Sequence, residues 1–426
     1  MITTSSQAAQ APRAMTVAVT VVLPFGIGYF LSYVFRAVNA MIAPNLVAEI
    51  GLGAAELGLL TAAYFIAFAA IQIPLGLTLD RHGPRRVQAA LLLAAALGAV
   101  LFAVGDSFAA LTVARALIGL GVAGSLMACF KANAVWWPRE RLPLMNGVTT
   151  AFGGLGALSA TIPVELLLPV LGWRGIFWAL AALTVAASAL IYFAVPERPD
   201  EGGGPRSSLR HQIAELGQVY GSALFWRLAP VAAVNTAAFM AYQTLWAAPW
   251  LRDVAGMDDA QVARGLFLFN CGFLAGVLLS GALADALQRV GIRPIWTVCV
   301  AIVLTLAVEV GFAAEAVAGA MPLCFAFGFF GSSVILIYAV HGQYFRLELA
   351  GRVSTAQNMV SFVIAFFGQW AIGEIVAQWE PLGAGRFDPA GHQAGLLMVI
   401  AATVVSFLWL VWPRRTGSPA RLPHGT

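Results

Sequence analysis

Residues 91–103 and 179–194 run without a charge and are apolar on every side of a helix drawn through them. A surface helix of a soluble protein keeps one polar face, so runs like these belong in lipid or in the middle of a bundle. In lipid a chain must satisfy its own backbone hydrogen bonds, which leaves α-helices or a closed β-barrel. Barrel strands alternate polar and apolar residues over about ten positions, and these runs do not alternate. They are therefore read as helices of a polytopic membrane protein. Composition agrees, with 60% hydrophobic and 10% charged residues where soluble domains carry about 25% charge.

Charged, Pro and Gly punctuation divides the 426 residues into twelve expected spans, at about 17–44, 57–79, 87–104, 108–135, 144–170, 173–195, 226–251, 262–284, 292–313, 318–343, 355–378 and 393–412. An even count puts both ends on one side. The longest polar stretch, 196–216, holds three consecutive glycines and is expected to be a flexible linker. The organisation is thus an N-terminal bundle over 1–195, a cytoplasmic linker over 196–225 and a C-terminal bundle over 226–426.

Of the 24 basic residues, seventeen fall on the side of the N-terminus and four on the other, while Arg36, Arg115 and Lys131 fall inside spans. That bias predicts an inner-membrane, multi-pass protein with both termini in the cytoplasm. It also accounts for the net charge of +4 without nucleic acid as a partner. Cys129, Cys271, Cys299 and Cys324 lie in apolar runs with no C-x-x-C pair, so they are read as core residues, and neither a metal nor a cofactor is expected. The polar segment 1–13 leads into a full-length span, so no cleaved signal is expected.

The chain also repeats itself. Gly51, Gly76 and Asp80 recur 205 residues later as Gly256, Gly281 and Asp285, and Ala43-Pro44-x-Leu46 recurs as Ala248-Pro249-x-Leu251. Two copies of one unit, related by an axis along the membrane normal, are a known plan for transporters that hold substrate between the halves near the midplane.

Gly76-Leu-Thr-Leu-Asp80-Arg81-His-Gly83-Pro-Arg85-Arg86 lies between the second and third spans. It resembles the major facilitator superfamily signature G-x-x-x-D-[RK]-x-G-x-[RK]-[RK]. In that family the cluster latches the outward-open state, and the resemblance assigns this role to Gly76, Asp80, Arg81, Gly83, Arg85 and Arg86. A looser copy keeps Gly281, Asp285 and Arg289. Arg115-Ala-Leu-Ile-Gly119-Leu-Gly121 is similar to the family's R-x-x-x-G-x-G, and Gly172-Trp173-Arg174 with Phe177 to its G-W-R-x-x-F. The resemblance covers essentially the whole chain. It implies an all-α fold of twelve transmembrane helices in two pseudo-symmetric six-helix bundles, working by alternating access.

Charged groups within spans are functional candidates by default. Arg36 stands first: Ser32, Tyr33 and Asn39 lie at i−4, i−3 and i+3, on the same helix face. A guanidinium there can take a carboxylate or phosphate in bidentate fashion. Arg eight residues before Pro44 resembles the first helix of organophosphate:phosphate antiporters, whose matching Arg contacts substrate phosphate. The second arginine of those antiporters maps to Ala241 and their histidine to about Thr150, so a single cation suits a monocarboxylate better than a phosphate dianion. Lys131, the only lysine, matches a basic residue of those antiporters or snorkels to the interface.

In this fold the first, fourth, seventh and tenth spans line the cavity, which brings in Tyr242, Gln243 and Trp246 with Asn235, and Tyr338 with Ser332 and Ser333. The expected substrate-binding set is Arg36, Tyr33, Asn39, Lys131, Tyr242, Gln243, Trp246 and Tyr338. Coupling candidates are Arg115, which the family links to structure and proton transfer, the acids Glu165 and Glu374, and His341.

The expected function is secondary active transport of a small organic anion, coupled to an ion such as the proton, by a monomer in the bilayer. Alternatives are a multidrug or metabolite proton antiporter, and a non-transporting membrane assembly factor that keeps the fold. The Gly-Pro pair usual in the fifth helix of drug antiporters is missing from Phe152-Gly153-Gly154-Leu-Gly156. No nucleophile and base pair or metal-spaced His/Cys cluster stands out, so an enzyme is not expected.

Overall fold

The computed structural model describes residues 14–196, 209–346, 349–383 and 385–412. The first half consists of α1 (Leu23–Ile50), entered through short turns over Ala14–Val17 and Ala18–Val22, then α2 (Ala54–Ala70), α3 (Gln72–Val104), α4 (Phe108–Val122), α5 (Ser125–Trp136), α6 (Leu142–Ser159) and α7 (Ile162–Ala194). After α8 (Leu209–Tyr220) come α9 (Ala223–Ala241), a π-turn over Tyr242–Trp246, and α10 (Ala247–Asp253). The remainder is α11 (Asp259–Arg289), α12 (Pro294–Ala313), α13 (Ala320–Ser332), α14 (Leu336–Tyr344), α15 (Ala350–Val376) and α16 (Pro389–Val411).

Two helices run through expected boundaries. Gly83 interrupts α3 at φ 75°, ψ 160°, and Gly172 interrupts α7 at φ 64°, ψ 170°. Each turns the chain within one residue by a conformation that a Cβ resists. Dividing α3 and α7 at these glycines recovers the expected boundaries between the second and third spans and between the fifth and sixth. Ten helical stretches of the described residues are long and apolar enough to cross a bilayer. The first turns of α3 follow directly on α2, and the first turns of α7 on α6, an arrangement that fits the twelve expected spans.

The repeat is visible as local chemistry. Gly51 and Gly256 both close a helix at positive φ, 77° and 66°. Two residues later, α2 opens with a box in which Gly53 N–H donates to Glu56 (2.8 Å), and α11 opens with one in which Asp258 N–H donates to Gln261 (3.1 Å). These boxes occupy otherwise unpaired amides of the first turn, at the same 205-residue offset.

Small residues let these helices touch backbone to backbone, as packing in lipid favours. A methyl at Gly119 would lie 2.3 Å from the Tyr64 carbonyl oxygen, and one at Gly328 would lie 1.9 Å from that of Phe269. Gly328→Ala is expected to force α11 and α13 apart and to cost about 1–3 kcal/mol, read as a lower melting temperature of the detergent-solubilised protein. An unchanged melting temperature would mean the two helices separate at no cost.

The two halves meet along α2 and α15, along α1 and the π-turn, and along α6 and α11. On the side of the membrane that holds Glu49 they close tightly, with Gly58 against Gly373 and Gly385 against Val47. The Gly172-Trp173-Arg174 motif braces that side within the first half. Trp173 donates to Glu49 (2.5 Å), and Arg174 bonds Glu49 and also Asp106 (2.6 Å). The expected linker is helical over Leu209–Tyr220 and docks on α15, through Arg352 to Glu215 (2.7 Å) and the Tyr220 hydroxyl to the Ala356 carbonyl (3.5 Å). Its stretch 197–208, with the three glycines, lies outside the described residues.

Candidate functional site

A cavity of about 570 Å³ lies between the halves. Tyr29, Ser32, Tyr33 and Arg36 of α1 face Phe239, Phe273, Tyr338, Asn358 and Phe362 of the second half across it. It extends to Gly351, Ser354 and Thr355 at the start of α15, which is the side of Asp80 and Arg346. Toward Glu49 it ends under aromatic rings. Phe68 stacks on Phe362 at 4.1 Å and Tyr33 on Phe273 at 5.6 Å, each pair joining the two halves.

Arg36 sits at that aromatic end, 6% exposed. Its guanidinium carbon lies 4.6 Å from the Tyr33 ring centre, 5.6 Å from Phe362, 5.7 Å from Phe68 and 5.9 Å from Tyr64. Ring faces attract the cation, yet they accept none of its in-plane N–H bonds. Its Nε has no hydrogen-bond partner, and among the described residues no carboxylate pairs with it. The group stays charged in any protein environment. Arg36 is therefore the one charged side chain among the residues that line the cavity.

Arg115 supports this arrangement from behind. It is 1% exposed, donates Nη1 to the Phe35 carbonyl (2.9 Å), and lies 5.5 Å from the Tyr64 ring. Tyr64 is thus shared by the two arginines, and Arg115 holds the α1 backbone one residue before Arg36.

Of the expected binding set, the structure brings Arg36, Tyr33 and Tyr338 to the cavity. Tyr338 donates to Asn358 Oδ1 at 2.5 Å. Asn39 is turned away, donating to Thr61 (2.5 Å) between α1 and α2. Lys131 bonds Asp80 (2.6 Å) and the Leu79 carbonyl (2.8 Å), so its charge serves the signature loop. Gln243 donates to Asn270 (2.8 Å), Tyr242 meets the Phe327 ring edge-on, and Trp246 meets His392. These three are buried inside the second half because the π-turn that contains them inserts a residue. One residue corresponds to a rotation of about 100° on a 3.6-residue helix.

The coupling candidates do not meet in the cavity. His341 is buried between Phe225 and Phe345, Glu165 is half-buried in the first turn of α7, and Glu374 is exposed and accepts from Trp370 (2.8 Å). In the signature loop Arg85 donates to the Tyr192 carbonyl (2.7 Å), Arg81 and Arg86 are exposed, Gly76 is half-buried within the helix, and Gly83 carries the bend. Asp285 and Arg289 are exposed and form no ion pair among the described residues.

Sequence reasoning missed Gln72, Asn358 and Phe362 on the cavity wall, which no local pattern marks. It also missed Glu309, a fully buried acid of α12. There the signal was present, since any acid inside an apolar span is a functional candidate.

The sequence matches the family model described as Major Facilitator Superfamily over residues 25–369. The chain belongs to that superfamily. One relative is the "Probable sulfoacetate transporter SauU" of Cupriavidus necator, 25% identical over 89% of this chain and 91% of its own length. Another is the "Chloramphenicol resistance protein" of Streptomyces lividans, 30% identical over 58% of this chain and 62% of its own length. Among solved structures, a bacterial homolog of the human lysosomal transporter Spinster, inward-facing and unoccupied, matches with a TM-score of 0.75 at 16% identity, over 93% of this chain and 96% of its own. Superfamily membership and the ten membrane-capable helices of the described residues make the chain an integral multi-pass membrane protein and not an enzyme.

Proposed function

We propose that this superfamily member moves a small organic anion across the inner membrane by alternating access, with Arg36 holding the anionic head group. The observation that carries the reading is a buried guanidinium without a carboxylate partner, at the closed end of a cavity shared by both halves. Charge-assisted bidentate bonds make a carboxylate or sulfonate the natural complement. One cation supports one negative charge, because a second buried charge without a partner costs several kcal/mol. The rest of the ligand packs on Tyr33, Phe239, Phe273 and Phe362, with the hydroxyls of Ser32, Thr236 and Ser332 in reach of its polar groups.

The relative named as a sulfoacetate transporter supports an organic acid as cargo. The seventeen-to-four basic bias supports cytoplasmic termini, in which case the cavity opens inward and Glu49 faces the periplasm. The whole cavity belongs to one chain, so a monomer suffices. Coupling to transport follows from electrostatics. Closing both sides over an empty, unpaired cation is costly, and an anion that neutralises Arg36 removes that cost.

A ligand thermal-shift screen over galacturonate, sulfoacetate, a sugar phosphate and chloramphenicol tests the reading. Ligand at a hundredfold excess over its Kd adds about 2.7 kcal/mol of stability, so an organic acid is expected to raise the melting temperature. The relative named for chloramphenicol resistance favours drug efflux as the second reading. A response to chloramphenicol alone selects it, and a response to the sugar phosphate alone restores the dianion that the single arginine argues against.

A further inference from the structure

We propose that the anion this cavity selects is an aromatic monocarboxylate, with its carboxylate on Arg36 and its ring among the aromatic side chains around that cation. The inference rests on the anion reading above and names the class of anion.

Two ring pairs, each joining the halves, stand around Arg36. Tyr33 stacks on Phe273 with planes 24° apart, and Phe68 on Phe362 with planes 14° apart. Phe239 leans on Phe273, with ring centres 5.4 Å apart. A bidentate carboxylate lies in the plane of the guanidinium, and conjugation holds an aryl ring in that plane too. Arg36 Cζ lies over the Tyr33 ring at 4.6 Å, so a flat ligand that prolongs the guanidinium plane runs along the Tyr33 face. Offset stacking and edge-to-face contact are the arrangements aromatic rings prefer, and this wall supplies ring faces and edges from both halves. Met127 and Met240 also line it, and thioether sulfur makes favourable contacts with ring edges.

The polar groups of the wall argue against a polyhydroxylated acid. Gln72, Thr150, Ser332 and Thr355 each donate to a carbonyl of the preceding turn, at 3.4, 2.8, 3.0 and 3.0 Å. The Tyr338 hydroxyl is spent on Asn358. These five donors are committed before a ligand arrives. Each sugar hydroxyl that finds no partner forfeits its bonds to water, a loss of about 5- to 150-fold in affinity. A benzene ring brings no such groups. Charge narrows the class further. With Arg36 the one charged side chain among the lining residues, a second acidic group stays unpaired, and an organic cation meets no carboxylate.

Isothermal titration of the detergent-solubilised protein with benzoate, cyclohexanecarboxylate, galacturonate and sulfoacetate tests the proposal. Benzoate and cyclohexanecarboxylate share one charge and nearly one size, and only benzoate is aromatic. Benzoate is expected to bind about 2- to 12-fold tighter than cyclohexanecarboxylate, and at least tenfold tighter than galacturonate or sulfoacetate. Phe239→Leu keeps the wall apolar and removes a ring that packs on Phe269 and Phe273 of its own half. It is expected to narrow the preference for benzoate over cyclohexanecarboxylate. Equal affinity for those two in the wild type overturns the proposal, as does a preference that Phe239→Leu leaves undiminished. Galacturonate or sulfoacetate binding as tightly as benzoate overturns it as well. Failure of the anion reading shows separately, as benzoate affinity that Arg36→Ala leaves unchanged. If galacturonate binds in an Arg36-dependent way and benzoate does not bind, the anion reading stands and the aromatic class falls.

Discussion

Arg36→Ala is expected to abolish anion uptake while leaving the protein as stable as before, or more stable. Removing one partner of a buried charge pair costs about 2–5 kcal/mol of binding, which at 1.4 kcal/mol per decade is a loss of about 30- to 4,000-fold in affinity. Arg36 forms no ion pair among the described residues, so none is lost, and the folded protein is relieved of a buried charge that lies against ring faces. Arg36→Lys keeps the charge but loses the planar fork, and a weaker affinity with measurable uptake is expected. Isothermal titration and melting curves on the same preparations separate the two effects. A structural arginine behaves in the opposite way, with a lower melting temperature and intact affinity. Arg115, bonded to the Phe35 carbonyl at 2.9 Å, is the internal comparison for that outcome.

The second large effect is conformational. Gly58→Leu is expected to stop turnover by preventing closure on the Glu49 side. Even a methyl at Gly58 would lie 3.0 Å from the Gln369 carbonyl oxygen and 3.1 Å from the Gly373 Cα, across the boundary between the halves. Overpacking of this kind costs about 1–3 kcal/mol, and it falls only on the conformation described above. That shifts the conformational equilibrium about 5- to 150-fold toward the state open on the Glu49 side. Labelling a cysteine placed at Ser32 with an impermeant maleimide reads the shift: reaction from the Glu49 side is expected to rise in Gly58→Leu. Unchanged labelling with normal transport would show that α2 and α15 do not form the seal.

Both effects turn on features of different legibility. Arg36 could be found in the sequence because a charge in an apolar span is conspicuous at any angle. Gly58 could not, since one glycine among many becomes a contact point only when Gly373, far along the chain, is brought against it. The same division runs through the cavity. Tyr33 shares a helix face with Arg36 and followed from spacing alone. Phe362 and Asn358 come from another half and have no local mark.

Lys131 shows how a sound rule can pick the right residue type and the wrong partner. A lysine inside a span must satisfy its charge, and Asp80 does so from the signature loop, outside the cavity wall. Tyr242, Gln243 and Trp246 fail for a geometric reason. A face projected with 3.6-residue periodicity is displaced by the extra residue of a π-turn, and nothing in the apolar sequence around it announces the insertion.

The sequence alone determined that this chain crosses a membrane many times, that it is built from two copies of one unit, and that Arg36 is the cation to explain. Those properties are carried by composition, offset and charge, which are readable along a line. The tertiary structure decided which residues surround that cation, which side of the membrane is sealed, and that Glu309 is fully buried. Helices that are apolar all round carry no moment to orient them, so the face each turns to the cavity is set by the packing of its neighbours.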